Sequence, residues 1–384
     1  LNITDTGDTP MCQQRWMTGA PPSWWCETRK PGAINAAAAK RPVPHEQLCL
    51  LCAKLDQKPA QQVESIRRQS RRRTGESDVT LMIIDCYTHT WESSDQLGRE
   101  SEPDHLRRSG ADPLSGHPAG ATRHLTAAEP VDRTFVLGFK SSYLGAELPN
   151  DQVAAYVRKH PNKLIGFAGV DPSDPKLAIE EVRRARQELN MPGAAIAPAA
   201  QDFHPTSSQA MRIYAEVSEL AMPLIFHAGV CVSTATKLEY AQPVLIDEIA
   251  RELPALKIII AHLGYPWANQ TFALLAKHPN VFSEISYLLG QPWQAYQALL
   301  TAYECGVIDK LLFGSGFPHL SASHCIEALY SINHLVQGTN LPTIPRENLR
   351  GIVERDTLTI LGISHGQPIH DASPSAIPDD AEDF

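Results

Sequence analysis

Between residues 81 and about 362, short apolar or β-branched runs alternate with longer segments whose apolar positions recur at helical spacing. The runs at 81–86, 133–139, 164–170, 193–196, 223–227, 258–262, 281–286 and 311–314 read as strands. The segments between them carry one apolar stripe each. Residues 178–189 align Ile179, Val182, Ala185 and Leu189; residues 209–220 align Met211, Ile213, Tyr214, Val217 and Leu220; residues 244–253 align Leu245, Ile249 and Leu253. Near-continuous apolar strands joined by amphipathic helices are what a parallel sheet covered by helices requires. Eight such units predict a single α/β domain at 82–362, a (β/α)₈ TIM barrel, in preference to an open doubly wound sheet. No Gly-x-Gly-x-x-Gly or Walker-type loop follows any strand, which argues against a nucleotide-binding sheet.

One stretch breaks the alternation. Residues 92–130 are rich in Gly, Pro, Ser, Asp and Arg and hold His105, His117 and His124. Following the first strand, this irregular insertion is expected to lie over the barrel mouth as a lid or cap.

Charge changes the picture at the ends. The chain has 384 residues with 34 Lys plus Arg against 43 Asp plus Glu, a formal net charge of −9. Residues 1–80 hold 12 basic and 8 acidic side chains, and the rest hold 22 and 35. The early segment has weak periodicity, four of the eight cysteines (Cys12, Cys26, Cys49, Cys52) and the run Arg71-Arg72-Arg73. Such a composition buries too little apolar surface to offset chain ordering. Residues 1–81 are therefore expected to be a mostly disordered extension upstream of a compact enzyme that begins at Met82. Cys49 and Cys52 have the spacing of half a zinc site, but no second pair follows, and an apolar turn is the preferred reading. Residues 363–384, rich in Pro, Ser and Asp, read as a flexible tail. No run is long enough for a membrane helix and no export signal is read, which predicts a cytoplasmic protein with reduced thiols. The acidic balance makes nucleic acid an unlikely partner.

Candidate chemistry lies at the strand ends, where the loops of a parallel barrel converge. Three strands run into histidine: Ile84-Asp-Cys-Tyr-Thr-His89, Phe226-His227-Ala-Gly229 and Ala261-His262-Leu-Gly264. A lone histidine after an apolar run is usually a satisfied core residue. Three at corresponding positions predict one shared site, because a neutral imidazole both binds divalent ions and moves protons.

These motifs, with Gly169-Val-Asp-Pro172, His278-Pro-Asn-Val281 and Leu311-Leu-Phe-Gly-Ser-Gly-Phe-Pro-His319, resemble the amidohydrolase-related (amidohydrolase 2) family, in that family's order. The resemblance covers 82–362 and extends to aminocarboxymuconate-semialdehyde and resorcylate-type decarboxylases. It implies a hydrolase or decarboxylase of a small carboxylated substrate, with zinc or manganese held by His89 and His227 and with His262 as catalytic acid or base. Tyr87, Trp91, His204 and His319, by their places after the strands, are expected to contact the substrate, and the resemblance implies homodimers as a common state of such barrels.

The sequence departs from the family where the ion should be. The first strand usually ends Asp-x-His-x-His, and Tyr87 stands where its first histidine should be; strand eight usually carries an aspartate where this chain has Gly316. A lysine common after strand four is Ala195. A catalytic zinc takes three protein ligands plus a water, so the two retained histidines predict an impaired or atypical site. The alternative is a catalytically silent barrel that binds a ligand or a partner protein. His319, Cys86, Cys231 and Glu284 are the substitute donors, but His319 reads more simply as lining the pocket, the cysteines as small buried residues, and Glu284 as the partner of a barrel lysine or arginine.

Overall fold

A computed structural model describes residues 82–101, 119–229 and 233–365. The expectations for residues 1–81, for the tail beyond 365, and for His105, His117 and Cys231 lie outside these residues.

Among the described residues there are ten strands: β1 Ile84–Thr88, β2 Arg133–Leu137, β3 Phe139–Ser141, β4 Ala146–Leu148, β5 Leu164–Gly169, β6 Gly193–Ile196, β7 Leu224–Phe226, β8 Ile258–Ile260, β9 Val281–Glu284 and β10 Leu311–Leu312. Eight form one sheet in the order β1-β2-β5-β6-β7-β8-β9-β10, every pairing parallel. The seam closes between β10 and β1. The Cys86 N–H donates to the Phe313 carbonyl at 2.9 Å, the Gly316 N–H donates to the Tyr87 carbonyl at 3.0 Å, and Thr88 bridges Phe317. The predicted TIM barrel is thus the observed architecture. No helix of the described residues is long and apolar enough to cross a membrane.

Strand alternation sorts the core into two layers. Ile225, Ile259, Phe282, Leu312, Phe135 and Phe167 share the barrel interior, where the rings of Phe135 and Phe167 stack 4.4 Å apart. Leu224, Phe226, Ile258, Ile260, Val281 and Leu311 pack in the opposite, outer layer.

The helices are α1 Ala121–Ala127, α2 Asn150–Lys159, α3 Pro175–Gln187, α4 Pro198–Gln201, α5 Ser208–Glu219, α6 Ile246–Glu252, α7 Ala268–Lys277, α8 Pro292–Glu304, α9 Ala322–Ser331, α10 Arg346–Val353 and α11 Thr357–Leu361. Their starts are chemically marked. The Asp174 carboxylate accepts from the N–H groups of Lys176 and Leu177 with Pro175 at the first helical position, and the Ser207 hydroxyl accepts from the Ala210 N–H. Helix α3 buries Ala178, Val182 and Ala185, and α5 buries Ala210, Ile213, Tyr214 and Val217. At 0.8 kcal/mol or so per buried methylene, such faces fix the helices to the sheet. Leu358, Leu361 and Ile363, on and just after α11, join the interior cluster.

Two sequence expectations need correction. The apolar run at 133–139 is not one strand. It breaks at Gly138, where a side chain would lie 2.3 Å from Asn150 Oδ1 and 2.8 Å from the Gly169 nitrogen, and the chain leaves the barrel as the antiparallel hairpin β3–β4. The insertion after β1 is also not wholly irregular: it carries a 3-10 segment, Ser94–Ser101, and helix α1. His124 on α1 is fully buried, with Nε2 3.0 Å from Thr88 Oγ1 and Nδ1 2.9 Å from the Tyr156 hydroxyl, so it ties the insertion to the end of β1.

Candidate active site

Strand ends bring four of the singled-out side chains together. The Tyr87 ring lies 5.2 Å from His89, 6.1 Å from His227 and 4.6 Å from His262, centroid to centroid, and His227 and His262 are 4.8 Å apart. The Tyr87 hydroxyl sits 2.6 Å from His227 Nδ1. His227 continues the inward alternation of Ile225. His262 does not: by parity with Ile258 and Ile260 it belongs to the outer layer. Its backbone and that of Leu263 are left-handed, at φ of 54° and 53°, and this turn carries the imidazole into the cluster. Left-handed backbone costs a non-glycine residue about 1–2 kcal/mol.

Each imidazole is oriented by a second contact. His89 Nδ1 is 3.1 Å from the Leu137 carbonyl, which only accepts, so Nδ1 carries the proton and Nε2 is the basic nitrogen. His262 Nδ1 is 2.7 Å from the Ser286 hydroxyl. Beneath the cluster lie two fully buried carboxylates. Glu284 accepts from the His262 N–H at 2.6 Å, the Ser286 N–H at 2.7 Å and the Ser286 hydroxyl at 2.9 Å. Asp85 accepts from the Ser315 N–H at 2.8 Å and the Tyr87 N–H at 3.3 Å. Glu284 therefore serves backbone amides and a serine; the lysine or arginine partner expected from the sequence is not what it binds. Gly314 makes room for it, since a Cβ there would fall 2.2 Å from Glu284 Oε2.

The electrostatics follow from burial. Desolvation, then the neighbouring His227, holds His89 at about 3, well under the ordinary imidazole value. His262 is also pushed well down by burial, then by His227, His89 and His319. Burial raises Glu284 to about 7 and Asp85 to about 6, against the hydrogen bonds that favour their charged forms.

The remaining singled-out residues are placed as follows. His319 is close enough to act on both His89 and His262, and its N–H donates to the Gly316 carbonyl at 3.0 Å. Trp91 packs with Ala119, Leu148 and Phe317, its indole N–H buried without an acceptor among the described residues. His204 lies with Tyr240, 5.6 Å between ring centroids, and with Thr206, and makes none of the cluster's ring contacts. Sequence reasoning missed Ser286. The signal was there: Phe282 and Glu284 share the inward face of β9, and Ser286 continues that spacing two residues past the strand end.

Among the described residues no group of three or more His, Cys, Asp or Glu side chains is arranged to hold a metal ion. The donors at these strand ends have other partners. Tyr87 Oη faces His227 Nδ1, both buried carboxylates are turned to amide N–H groups, and position 316 has no side chain. A catalytic zinc takes three protein ligands plus a water.

The amidohydrolase family matches residues 84–352, and the chain belongs to this family of hydrolases and carboxy-lyases. Among characterised relatives it is similar to a γ-resorcylate decarboxylase of Polaromonas sp. (strain JS666 / ATCC BAA-500), 25% identical over 223 residues, covering 47% of this chain and 68% of that protein. Solved structures with the same barrel include an uncharacterised TIM-barrel protein, Bb4693, of Bordetella bronchiseptica, with a TM-score of 0.57 and 18% identity over 73% of this chain and 98% of that one. Another is a 5-carboxyvanillate decarboxylase of Novosphingobium aromaticivorans in complex with manganese and a nitrobenzoic acid, with a TM-score of 0.52 and 14% identity over 75% and 98%.

Proposed function

We propose that this chain is a carboxy-lyase acting on a small aromatic carboxylate with an ortho hydroxyl, and that His262 moves the proton. The observation that carries the reading is the packing of Tyr87, His89, His227 and His262 at the ends of three strands, with His262 against both Tyr87 and His227. The γ-resorcylate decarboxylase relative supports the substrate class.

In this reading His262 accepts the proton of the substrate's ortho hydroxyl and returns it to the ring carbon that bears the carboxylate. The ring becomes a ketone with a saturated carbon at that position. The carbon–carbon bond to the carboxylate then breaks, its electron pair returns to the ring as phenolate, and carbon dioxide leaves. Tyr87 and His89 wall the pocket, and His319 and Trp91 are its rim contacts. His204 is the weakest of the substrate contacts expected from the sequence, because it makes none of the cluster's ring contacts. The ion-binding shell is incomplete in this copy: the Tyr87 hydroxyl meets His227 where the family resemblance places an imidazole ligand. Hydrolysis is the second reading, favoured by the family itself, with the same imidazole accepting a proton from water.

The test is turnover of γ-resorcylate by the purified chain, followed as carbon dioxide release, with and without added manganese or zinc. Release that His262→Gln abolishes supports the proposal. Binding of γ-resorcylate without release under either condition would overturn it in favour of a silent, ligand-binding barrel.

A further inference from the structure

Glu284 contacts both backbone and side-chain groups around His262. Its Oε1 accepts the His262 N–H at 2.6 Å and the Ser286 hydroxyl at 2.9 Å, and its Oε2 accepts the Ser286 N–H at 2.7 Å. Ser286 Oγ is in turn 2.7 Å from His262 Nδ1. Glu284 and Ser286 are fully buried, and His262 nearly so. A serine hydroxyl has one proton to give. With both Glu284 oxygens already accepting from amides, that proton points to Glu284, and the imidazole must then supply the proton for the Ser286–His262 bond.

We propose that Ser286 and Glu284 are positioning residues that hold His262 in the Nδ1–H form, its Nε2 the basic nitrogen that exchanges protons in the pocket. The chain runs His262 Nδ1–H to Ser286 Oγ, then Ser286 O–H to Glu284 Oε1. The second contact from Glu284, to the His262 amide, steadies the left-handed backbone that turns this imidazole inward. Side chain and main chain of His262 are thereby held by one carboxylate on the neighbouring strand. Gly314 permits the arrangement, because a side chain there would occupy the carboxylate's space. When Nε2 gains a proton, the resulting imidazolium keeps both bonds without rearrangement, so no reorganisation is needed during transfer. Fixing an imidazole tautomer through its other nitrogen is the same device that second-layer partners use elsewhere, where their loss costs about 10–100-fold in activity.

The inference rests on the reading of His262 as the proton-moving group, and its test separates the two. Full-length protein labelled with ¹⁵N-histidine, with the His262 signals assigned through His262→Gln, reports which ring nitrogen bears the proton. The expected result is protonated Nδ1 in the wild type, a mixture of forms in Ser286→Ala, and recovery in Ser286→Thr, where Gly316 has no side chain to oppose the added methyl. With γ-resorcylate as probe, Ser286→Ala and Glu284→Gln should lower kcat about 10–100-fold and leave KM within about threefold. A wild-type His262 protonated at Nε2 overturns the proposal, whatever the variants do. So does a folded Ser286→Ala protein with an unchanged tautomer. If the wild type fails to turn over γ-resorcylate but shows the Nδ1–H form lost in Ser286→Ala, the positioning chain stands and only the proposed reaction falls.

Discussion

The hydroxyl of Tyr87 and Nδ1 of His227, on β1 and just past β7, meet at 2.6 Å across the mouth of the barrel. The phenol thereby contacts an imidazole that the family resemblance assigns to a divalent ion. Tyr87→Phe removes the contact from a half-buried imidazole nitrogen, which should lower stability by about 0.5–1.5 kcal/mol in urea titrations. An unchanged midpoint would show that the contact carries no weight.

Refitting the site should restore an ion. Tyr87→His together with Gly316→Asp supplies the imidazole and the carboxylate that the wild type lacks. The double variant is expected to copurify with stoichiometric zinc or manganese by elemental analysis, and the wild type to bind substantially less. Gly316 is left-handed at φ 75°, and a Cβ there would lie 3.2 Å from Ser286 Cβ, so the gain in metal affinity should come with lower thermal stability. Equal metal content in the two proteins would contradict the assignment of an incomplete shell.

His262→Gln keeps a side chain of similar reach and loses the titratable ring. Removing a general acid or base typically costs about 10²–10⁴-fold, and kcat for γ-resorcylate should fall by that factor while circular dichroism stays native. Residual turnover within threefold of wild type would move the proton transfer elsewhere.

Gly314→Ala places a methyl 2.2 Å from Glu284 Oε2. The fully buried carboxylate has to shift, and overpacking of this kind costs about 1–3 kcal/mol. Chemical denaturation should show that loss, accompanied by a fall in kcat, because the displaced carboxylate holds the His262 amide and Ser286.

Acid should loosen the insertion through His124. Burial, then Lys163, lowers its folded-state value to about 4, against 6.5 for the free side chain. Between those values the unfolded chain binds the extra proton, so stability is present above pH 6.5 and is lost as pH falls toward 4, by about 3 kcal/mol in all. His124→Asn cannot titrate, and other groups cancel in the comparison. The stability difference between wild type and variant should shrink over that window; a constant difference would refute the assignment.

Short apolar runs set between segments of helical spacing sufficed to place all eight barrel strands, because burial on both faces leaves each as an apolar run. Boundaries were blurred where backbone geometry intervened. Gly138 ends β2 two residues short of the apolar run, for a reason that lies in Asn150 and Gly169 and not in the run itself. The convergence of His89, His227 and His262 was readable from the strand ends, although parity alone sends His262 outward and only its left-handed turn brings it in. Glu284 was misread because a buried carboxylate suggests a cationic partner, whereas here amide N–H groups supply the compensating charge.

The left-handed pair at His262 and Leu263 is kept in place from outside the pocket. Leu263 is fully buried in the outer layer, among side chains that include Phe272 and Leu275 of α7. Burying a leucine gains about 1.5–3 kcal/mol, enough to outweigh the cost of its own backbone conformation. Trimming a methyl from one of these neighbours on α7 is expected to weaken the seat of the bend. Enzymes recovered from a screen for heat tolerance in this helical shell should therefore differ in turnover as well as in melting point.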